Sequence, residues 1–151
     1  MGFETVAIDR GTGKADLARK CGAHEYIDST AGDPGAALAT MGGATVVLST
    51  VPSADAVNAV MGGLGRRGRF ILVGAATDPV YIVPALMIAP YQSIAGHASG
   101  TAKDSEDTMA FSVLNGVRPM IEIRPLAEAA AAYDRMMAGD ARFRMVLQVP
   151  G

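Results

Sequence analysis

The sequence predicts an α/β protein whose core is a partial, doubly wound parallel sheet. Three observations support this class. Strand-like and helix-like segments alternate along the chain, as they do where helices cover a parallel sheet. Half of the 151 residues are hydrophobic, enough for one domain over residues 1–151 with a sizeable core. The first strand-like segment, Thr5–Asp9, ends in an acidic residue and precedes a glycine-rich turn and a helix.

The position of Asp9 predicts that this sheet lacks its first strand. In a sheet that binds a dinucleotide, such an acid closes the second strand and holds a ribose. The first strand and its phosphate-binding glycine loop then lie about 20 residues earlier. Only eight residues precede Asp9. The expected gap is central, because the first strand lies in the middle of the usual strand order.

The elements after the first strand follow from local signals. A helix over Lys14–Cys21 ends before Gly22, a residue typical of helix ends. A short strand, Glu25–Asp28, comes next. A second helix starts at Asp33, with proline in its first turn, and runs to about Thr40.

The middle of the chain holds the most apolar segments. Thr45–Ser49 is continuous and rich in β-branched residues, as expected of a strand buried on both faces. Ser53 is a cap for a predicted helix over Ala54–Leu64, which ends in a cluster of glycines. Arg69–Gly74 is the clearest strand of the sequence.

The last third continues the alternation. A strand is predicted at Ser93–Ala98 and a helix at Asp104–Asn115. An alanine-rich helix over Leu126–Met137 and a final strand, Phe143–Val149, close the chain. We find no internal repeat, low-complexity tract or linker.

Composition excludes several classes of function. The net charge of −2 and the pI near 5.6 provide no basic surface for nucleic acid. The longest apolar stretch, Val80–Ile88, is interrupted by Pro84 and is too short to span a membrane. The single cysteine, Cys21, fits a reducing cytoplasm and is read as a small core residue. One cysteine and two separated histidines have no zinc-ligand spacing, so no metal residue is assigned.

Two glycine motifs are candidates for phosphate loops. Residues 63–68 match G-x-G-x-x-G, but they follow a helix and precede a strand, the reverse of the order a cofactor loop needs. We interpret them as a helix cap and a turn. Residues 11–14 do lie between a strand and a helix, but Ile8 stands where a triphosphate loop has its first glycine.

The turn at residues 9–14 suits a ribose better. Asp9 can accept hydrogen bonds from both ribose hydroxyls, and its charge would repel a 2′-phosphate, which favours NAD over NADP. Arg10 and Lys14 can instead pair with a 2′-phosphate, so NADP stays possible. The alternative is a solvated turn with ordinary surface charges. From position alone, His97 and Arg144 are read as strand-edge residues, although Arg144 is also a candidate for binding phosphate oxygens.

The whole chain resembles the C-terminal, cofactor-binding part of a zinc-dependent medium-chain alcohol dehydrogenase. The matching stretches are residues 2–11, 18–29, 68–75, 93–101, 132–139 and 142–147. The resemblance implies a Rossmann-like sheet, and it implies cofactor contacts at Asp9, Thr50, Val51, Val73, Gly74, Ala75 and Arg144. Among these, Arg144 matches an arginine that reaches the pyrophosphate. Zinc in the parent family is held by a catalytic domain that this sequence does not contain.

The expected function is therefore that of an alcohol dehydrogenase fragment. The parent chemistry is hydride transfer between an alcohol or aldehyde and NAD or NADP. The chain alone is expected to be inactive and to bind NAD weakly or not at all. The alternative is a structural or dimerisation module that binds no cofactor.

A homodimer is the expected assembly. Thr5–Asp9 and Thr45–Ser49 are both apolar and flank the predicted gap, and such edges recruit another strand. They are expected to pair directly, to take up a segment of a second chain, or to rearrange. Ser93–Ala98 resembles the strand through which the family joins two subunits, so either this strand or the open edge is expected in the contact.

Overall fold

A computed structural model of the chain describes residues 2–150. The chain divides after Ser99 into two compact units, here called the amino-terminal unit and the carboxyl-terminal unit. The assignment of residues 1–151 to one domain stays a prediction.

The amino-terminal unit alternates strands and helices. Its strands are β1 (Val6–Asp9), β2 (Glu25–Asp28), β3 (Ala44–Ser49), β4 (Leu64–Leu72) and β5 (Ser93–Gly96). Its helices are α1 (Ala15–Lys20), α2 (Pro34–Thr40), α3 (Ala54–Met61) and α4 (Pro84–Ile88). The carboxyl-terminal unit contains α5 (Ala102–Leu114), β6 (Ile121–Pro125), a 3-10 turn (Leu126–Glu128), α6 (Ala129–Met137) and β7 (Arg144–Gln148).

All strand pairs are parallel, which confirms the predicted α/β class. In the amino-terminal unit β1 pairs with β2, and β3, β4 and β5 form a second sheet in that order. In the carboxyl-terminal unit β6 pairs with β7. The register of the first pair sets Asp9 opposite Asp28, so two carboxylates meet at the carboxyl ends of neighbouring strands.

The described strands of the amino-terminal unit form two separate sheets rather than one. Within residues 2–150, β1 pairs with β2 alone and β3 with β4 alone. The two strands predicted to flank a gap have therefore not closed up into a direct pair. The side chains of Val46 and Leu48 in β3 remain 55% and 61% exposed.

The core of the amino-terminal unit lies between α3 and the three-stranded sheet. Phe70 of β4 is fully buried and packs with Val57 of α3 and Leu64. Partly buried apolar residues surround this centre, namely Val47, Val60, Met61, Leu72, Val80 and Ile94. The amphipathic spacing of α3 places Val57 and Val60 toward the sheet, which explains why this helix forms here.

Two helix starts agree with the prediction. The Asp33 side chain accepts the Ala36 N–H at 3.0 Å, and the Ser53 hydroxyl accepts the Ala56 N–H at 3.3 Å. Helix α5 begins at Ala102, two residues before the predicted start, because Thr101 and Asp104 form a reciprocal capping box.

Other boundaries differ from the prediction. Helix α3 ends at Met61, because Leu64 already pairs with Ala44 as the first residue of β4. The register shifts between Ala44 and Val46, and the Gln92 side chain donates to the carbonyls of Leu64 and Gly65. The glycines at 63–68 thus lie largely in a bulged strand rather than in a simple turn. Strand β4 ends at Leu72, two residues before the predicted end.

Three further features were not anticipated. The short helix α4 and strand β6 lie in segments where no element was predicted. Cys21, expected in the core, is exposed at the end of α1, because this short helix buries none of its residues.

Within the part of the chain that is described, no helix is long and apolar enough to cross a membrane.

Candidate functional site

Asp9 lies at the carboxyl end of β1, where the chain turns toward α1. Its Oδ1 accepts the Arg10 backbone N–H at 2.7 Å, and its Oδ2 lies 2.7 Å from the Lys14 Nζ. The Asp9 side chain is 37% exposed and that of Lys14 is 55% exposed. A ligand from solvent can therefore reach both members of this ion pair.

The surroundings of Asp9 favour its charged form. Partial burial is the largest single influence and raises the pKa of this carboxyl. The hydrogen bonds from the Lys14 ammonium and the Arg10 N–H, with the charges of both side chains, together outweigh it. The pKa of Asp9 therefore lies below its ordinary value, and the group is an anion at neutral pH.

The turn after Asp9 is held at Gly11. Gly11 adopts a φ of +68°, a conformation that other residues rarely take. Its N–H donates to the Asp28 Oδ1 at 2.7 Å, and its carbonyl accepts the Tyr26 hydroxyl at 2.7 Å. Both polar groups of this residue are thus bound by side chains of β2.

Asp28 is itself held by the chain that follows it. The same Oδ1 accepts the Thr30 N–H at 2.8 Å and the Thr30 hydroxyl at 2.6 Å. These two bonds are the main reason that the pKa of Asp28 lies below its ordinary value, and the Gly11 N–H adds to them against the effect of burial. Burial and the negative charges of Asp9 and Asp28 raise the pKa of Tyr26, so its hydroxyl keeps the proton that it donates.

A second group of predicted residues meets at the carboxyl ends of β3 and β4. The N–H groups of Val73 and Gly74 both donate to the Ser49 carbonyl, at 2.9 and 3.0 Å. A Cβ added to Gly74 would lie under 3.0 Å from the backbone of Thr50 and Val51. The two strand ends are therefore in backbone contact, and only glycine permits this approach. Val51 and Val73 stay 45% and 48% exposed beside it.

The side chains of the remaining predicted residues are exposed. Ala75 follows Gly74 on the surface. Arg10 presents an exposed side chain beside Asp9. Arg144 is the first residue of β7 in the carboxyl-terminal unit and is also exposed. The cofactor roles of all nine residues remain predictions.

The side chains of the described region do not fit a zinc site. Within residues 2–150, no three histidine, cysteine, aspartate or glutamate side chains are grouped so that they can hold a metal ion. A catalytic zinc needs three protein ligands and an open position. We therefore assign no step of chemistry through zinc to these residues.

The part of this site that β2 contributes is not predicted by the sequence, which indicates Asp28 and Tyr26 only as residues of a strand. One signal was available: in a parallel pair of strands with equal lengths, the last residues meet at the same edge, which places Asp28 beside Asp9. The contact of Tyr26 with Gly11 spans 15 positions and has no local signature.

Comparisons with known proteins agree on one family. The sequence pattern of the family described as zinc-binding dehydrogenase matches residues 1–113. The alcohol dehydrogenase patD of Penicillium expansum is 39% identical over 147 residues, which are 97% of this chain and 43% of that protein.

Solved structures show the same fold. The alcohol dehydrogenase of Aeropyrum pernix superposes with a TM-score of 0.79 at 26% identity, over 94% of this chain and 42% of that one. The benzyl alcohol dehydrogenase of Acinetobacter calcoaceticus reaches a TM-score of 0.84 at 20% identity, over 97% and 43%. The chain thus spans well under half the length of these relatives.

Proposed function

The chain belongs to the zinc-binding dehydrogenase family, and on this premise we propose that it supplies the nicotinamide-cofactor half-site of an alcohol dehydrogenase. The recognition of the chain as the cofactor-domain part of a medium-chain alcohol dehydrogenase is confirmed. The activity of the whole enzyme is part of the proposal, because the chain spans about 43% of the relative's length. The reaction proposed is hydride transfer between an alcohol or aldehyde and NAD.

The observation that carries this proposal is the Asp9–Lys14 pair at the end of β1. An exposed carboxylate provides acceptors and the neighbouring ammonium provides a donor, which together suit the two hydroxyls of a ribose. The pair stands at the carboxyl end of a parallel strand, where ligands of open α/β sheets bind. The chemistry of this group of residues therefore fits the adenosine ribose of NAD.

The ends of β3 and β4 offer a further surface for the cofactor within the amino-terminal unit. The exposed Val51 and Val73 offer apolar surface for a ring, and the contact between Gly74 and Thr50 holds the two strand ends together. Arg144, in the carboxyl-terminal unit, is proposed by itself as a guanidinium that can bind a phosphate oxygen. When bound, NAD supplies the hydride acceptor, while the protein residues bind and orient it. Arg10 and Lys14 leave NADP as the second candidate cofactor.

The proposal is tested by titrating the chain with NAD and with NADP, using ligand-observed NMR. We expect weak binding, because the described residues include no G-x-G-x-x-G loop between a strand and a helix to hold the pyrophosphate. Asp9→Ala should weaken NAD binding more than NADP binding. Asp16→Ala, a matched loss of a fully exposed carboxylate on α1, should change neither. If Asp9→Ala and Asp16→Ala weakened the binding of NAD and of NADP equally, a ribose role for Asp9 would be contradicted.

A dimerisation module that binds no cofactor is the second candidate, and it rests on the exposed apolar strand surface. Val46 and Leu48 of β3 are more than half exposed, and β5 pairs with β4 alone within the described residues. We propose a homodimer through Ser93–Ala98 or through the open edge at β3. Light scattering tests it: a folded monomer at micromolar concentration would contradict the dimer.

The cellular compartment is also part of the proposal. The chain has one cysteine, and Cys21 is exposed at the end of α1. A protein without intramolecular disulfides suits a reducing compartment. We therefore propose the cytoplasm, which fractionation of the source cells would test.

A further inference from the structure

The two backbone N–H groups that follow β1 are both occupied by carboxylates. The Arg10 N–H is bound by Asp9, and the Gly11 N–H is bound by Asp28, each at 2.7 Å. Consecutive N–H groups in a turn of this kind otherwise form a concave site for an anion. Arg10 and Lys14 stand next to them and would add positive charge to such a site.

Asp28 makes the Gly11 N–H unavailable to an anion. Its Oδ1 is oriented by two bonds from Thr30, so this carboxylate is not free to swing away from the turn. Tyr26 donates to the Gly11 carbonyl, so the peptide groups on both sides of the Gly11 Cα are bound by side chains of β2. The register of β1 with β2 brings the second negative charge beside Asp9.

We propose that Asp28 is a second specificity-determining residue of the cofactor site, which excludes a 2′-phosphate by occupying the Gly11 N–H and by adding a second negative charge. This inference rests on the proposed cofactor function. Asp9 acts on the ribose directly, whereas Asp28 is a positioning residue that acts through Gly11. Replacing Asp9 alone should therefore leave NADP binding weak, since the turn still carries a carboxylate on its central N–H.

The test compares 5′-AMP with 2′,5′-ADP, which differ by the 2′-phosphate. Dissociation constants are measured by NMR titration for the original chain, Asp9→Ala, Asp28→Ala and the double variant. We expect Asp28→Ala to strengthen binding of 2′,5′-ADP by about tenfold relative to 5′-AMP, the scale of one charge-assisted hydrogen bond. The double variant should show the largest change in the ratio of the two dissociation constants, that for 2′,5′-ADP to that for 5′-AMP. Asp28→Asn, which keeps an acceptor but loses the charge, should fall between the original chain and Asp28→Ala.

Glu25→Gln is the matched control, because it removes a charge from the exposed opposite end of the same strand. It should shift the ratio less than twofold. An equal shift in this control would show that net charge alone decides the preference, and it would overturn the inference.

Amide hydrogen exchange gives a readout that needs no nucleotide. The Gly11 N–H should exchange faster in Asp28→Ala than in the original chain, while amides of β3 and β4 keep their rates. An unchanged Gly11 rate would overturn the contact on which the inference stands. If 5′-AMP binds but the nucleotide ratio stays constant in every variant, Asp28 has no role in specificity and the proposed function survives. If neither nucleotide binds any variant at millimolar concentration, the proposed function fails and this inference fails with it.

Discussion

The two strand ends that carry the candidate site are built in different ways. At the end of β1 and β2, side chains hold the turn: Asp28 and Tyr26 bind Gly11, and Lys14 binds Asp9. At the end of β3 and β4, backbone packs directly on backbone at Gly74.

This difference separates chemical recognition from support. The polar turn presents charges whose state depends on pH and on bound ligands, so it is suited to select a ligand. The end of β3 and β4 exposes Val51 and Val73 beside a backbone contact that leaves no room for an added atom. This end is therefore suited to hold a fixed apolar surface. Changes in the first region should alter ligand binding, with small effects on stability, and changes in the second should mainly alter stability.

The largest expected effect tests whether the two regions are supported by one core. Phe70→Ala removes a fully buried ring of β4, which packs against Val57 of α3, and should cost about 4 kcal/mol of unfolding free energy in urea. Phe3→Ala is the control, since this ring is 72% exposed. Amide exchange should rise in β3–β5 more than at Gly11, because β1 and β2 form a separate sheet. An equal increase in amide exchange at Gly11 and in β3–β5 would show that one core supports both strand ends.

A smaller loss is expected from the backbone contact at Gly74. In Gly74→Ala the new Cβ meets the backbone of Thr50 and Val51, so the strand ends must move apart, at a cost of about 2 kcal/mol. Gly96→Ala tests the addition of the same methyl group where no atom lies within 4 Å. Denaturant unfolding of the two variants should differ clearly. Equal unfolding free energies for Gly74→Ala and Gly96→Ala would mean that the ends of β3 and β4 separate without a cost in stability.

The polar turn should make stability depend on pH. The native pKa of Asp28 lies below its ordinary value of 3.8, so the unfolded chain takes up the proton first on acidification. Its stabilising effect is therefore complete above pH 3.8 and declines as the pH falls below that value toward the native pKa. The difference in unfolding free energy between the original chain and Asp28→Asn should shrink over this range. Tyr26→Phe should show a difference that is constant there, and a constant difference for Asp28→Asn would contradict the prediction.

The smallest effect is expected from the ion pair itself. Lys14→Met removes a contact between two partly exposed side chains and should change unfolding free energy by about 0.5 kcal/mol or less. The same variant should weaken NAD binding in the NMR titration, because it removes the donor beside Asp9. A large loss of stability with unchanged binding would reverse the division of roles between the two regions.

Much of the fold could be predicted because its signals are local. Glu25–Asp28 was predicted with the bounds that β2 has, and the side chains of Asp33 and Ser53 cap the helices that they were expected to start. Strand β6 was not predicted because its five residues have mixed polarity and form a strand only by pairing with β7. The end of α3 was misplaced because Leu64 pairs with Ala44, a contact that no helix signal reveals.

The sequence by itself determined the alternation of strands and helices, the acid at the end of β1 and the family to which the chain belongs, since these depend on residue order and local propensity. Only the tertiary structure decided that Asp28 and Tyr26 hold Gly11, that Gly74 lies against Thr50 and Val51, and that Cys21 is exposed. Each of these depends on which segments meet across many positions of the chain. Hydrogen bonds and close packing act over a few ångströms in space, and the spacing of residues along the sequence does not reveal that distance.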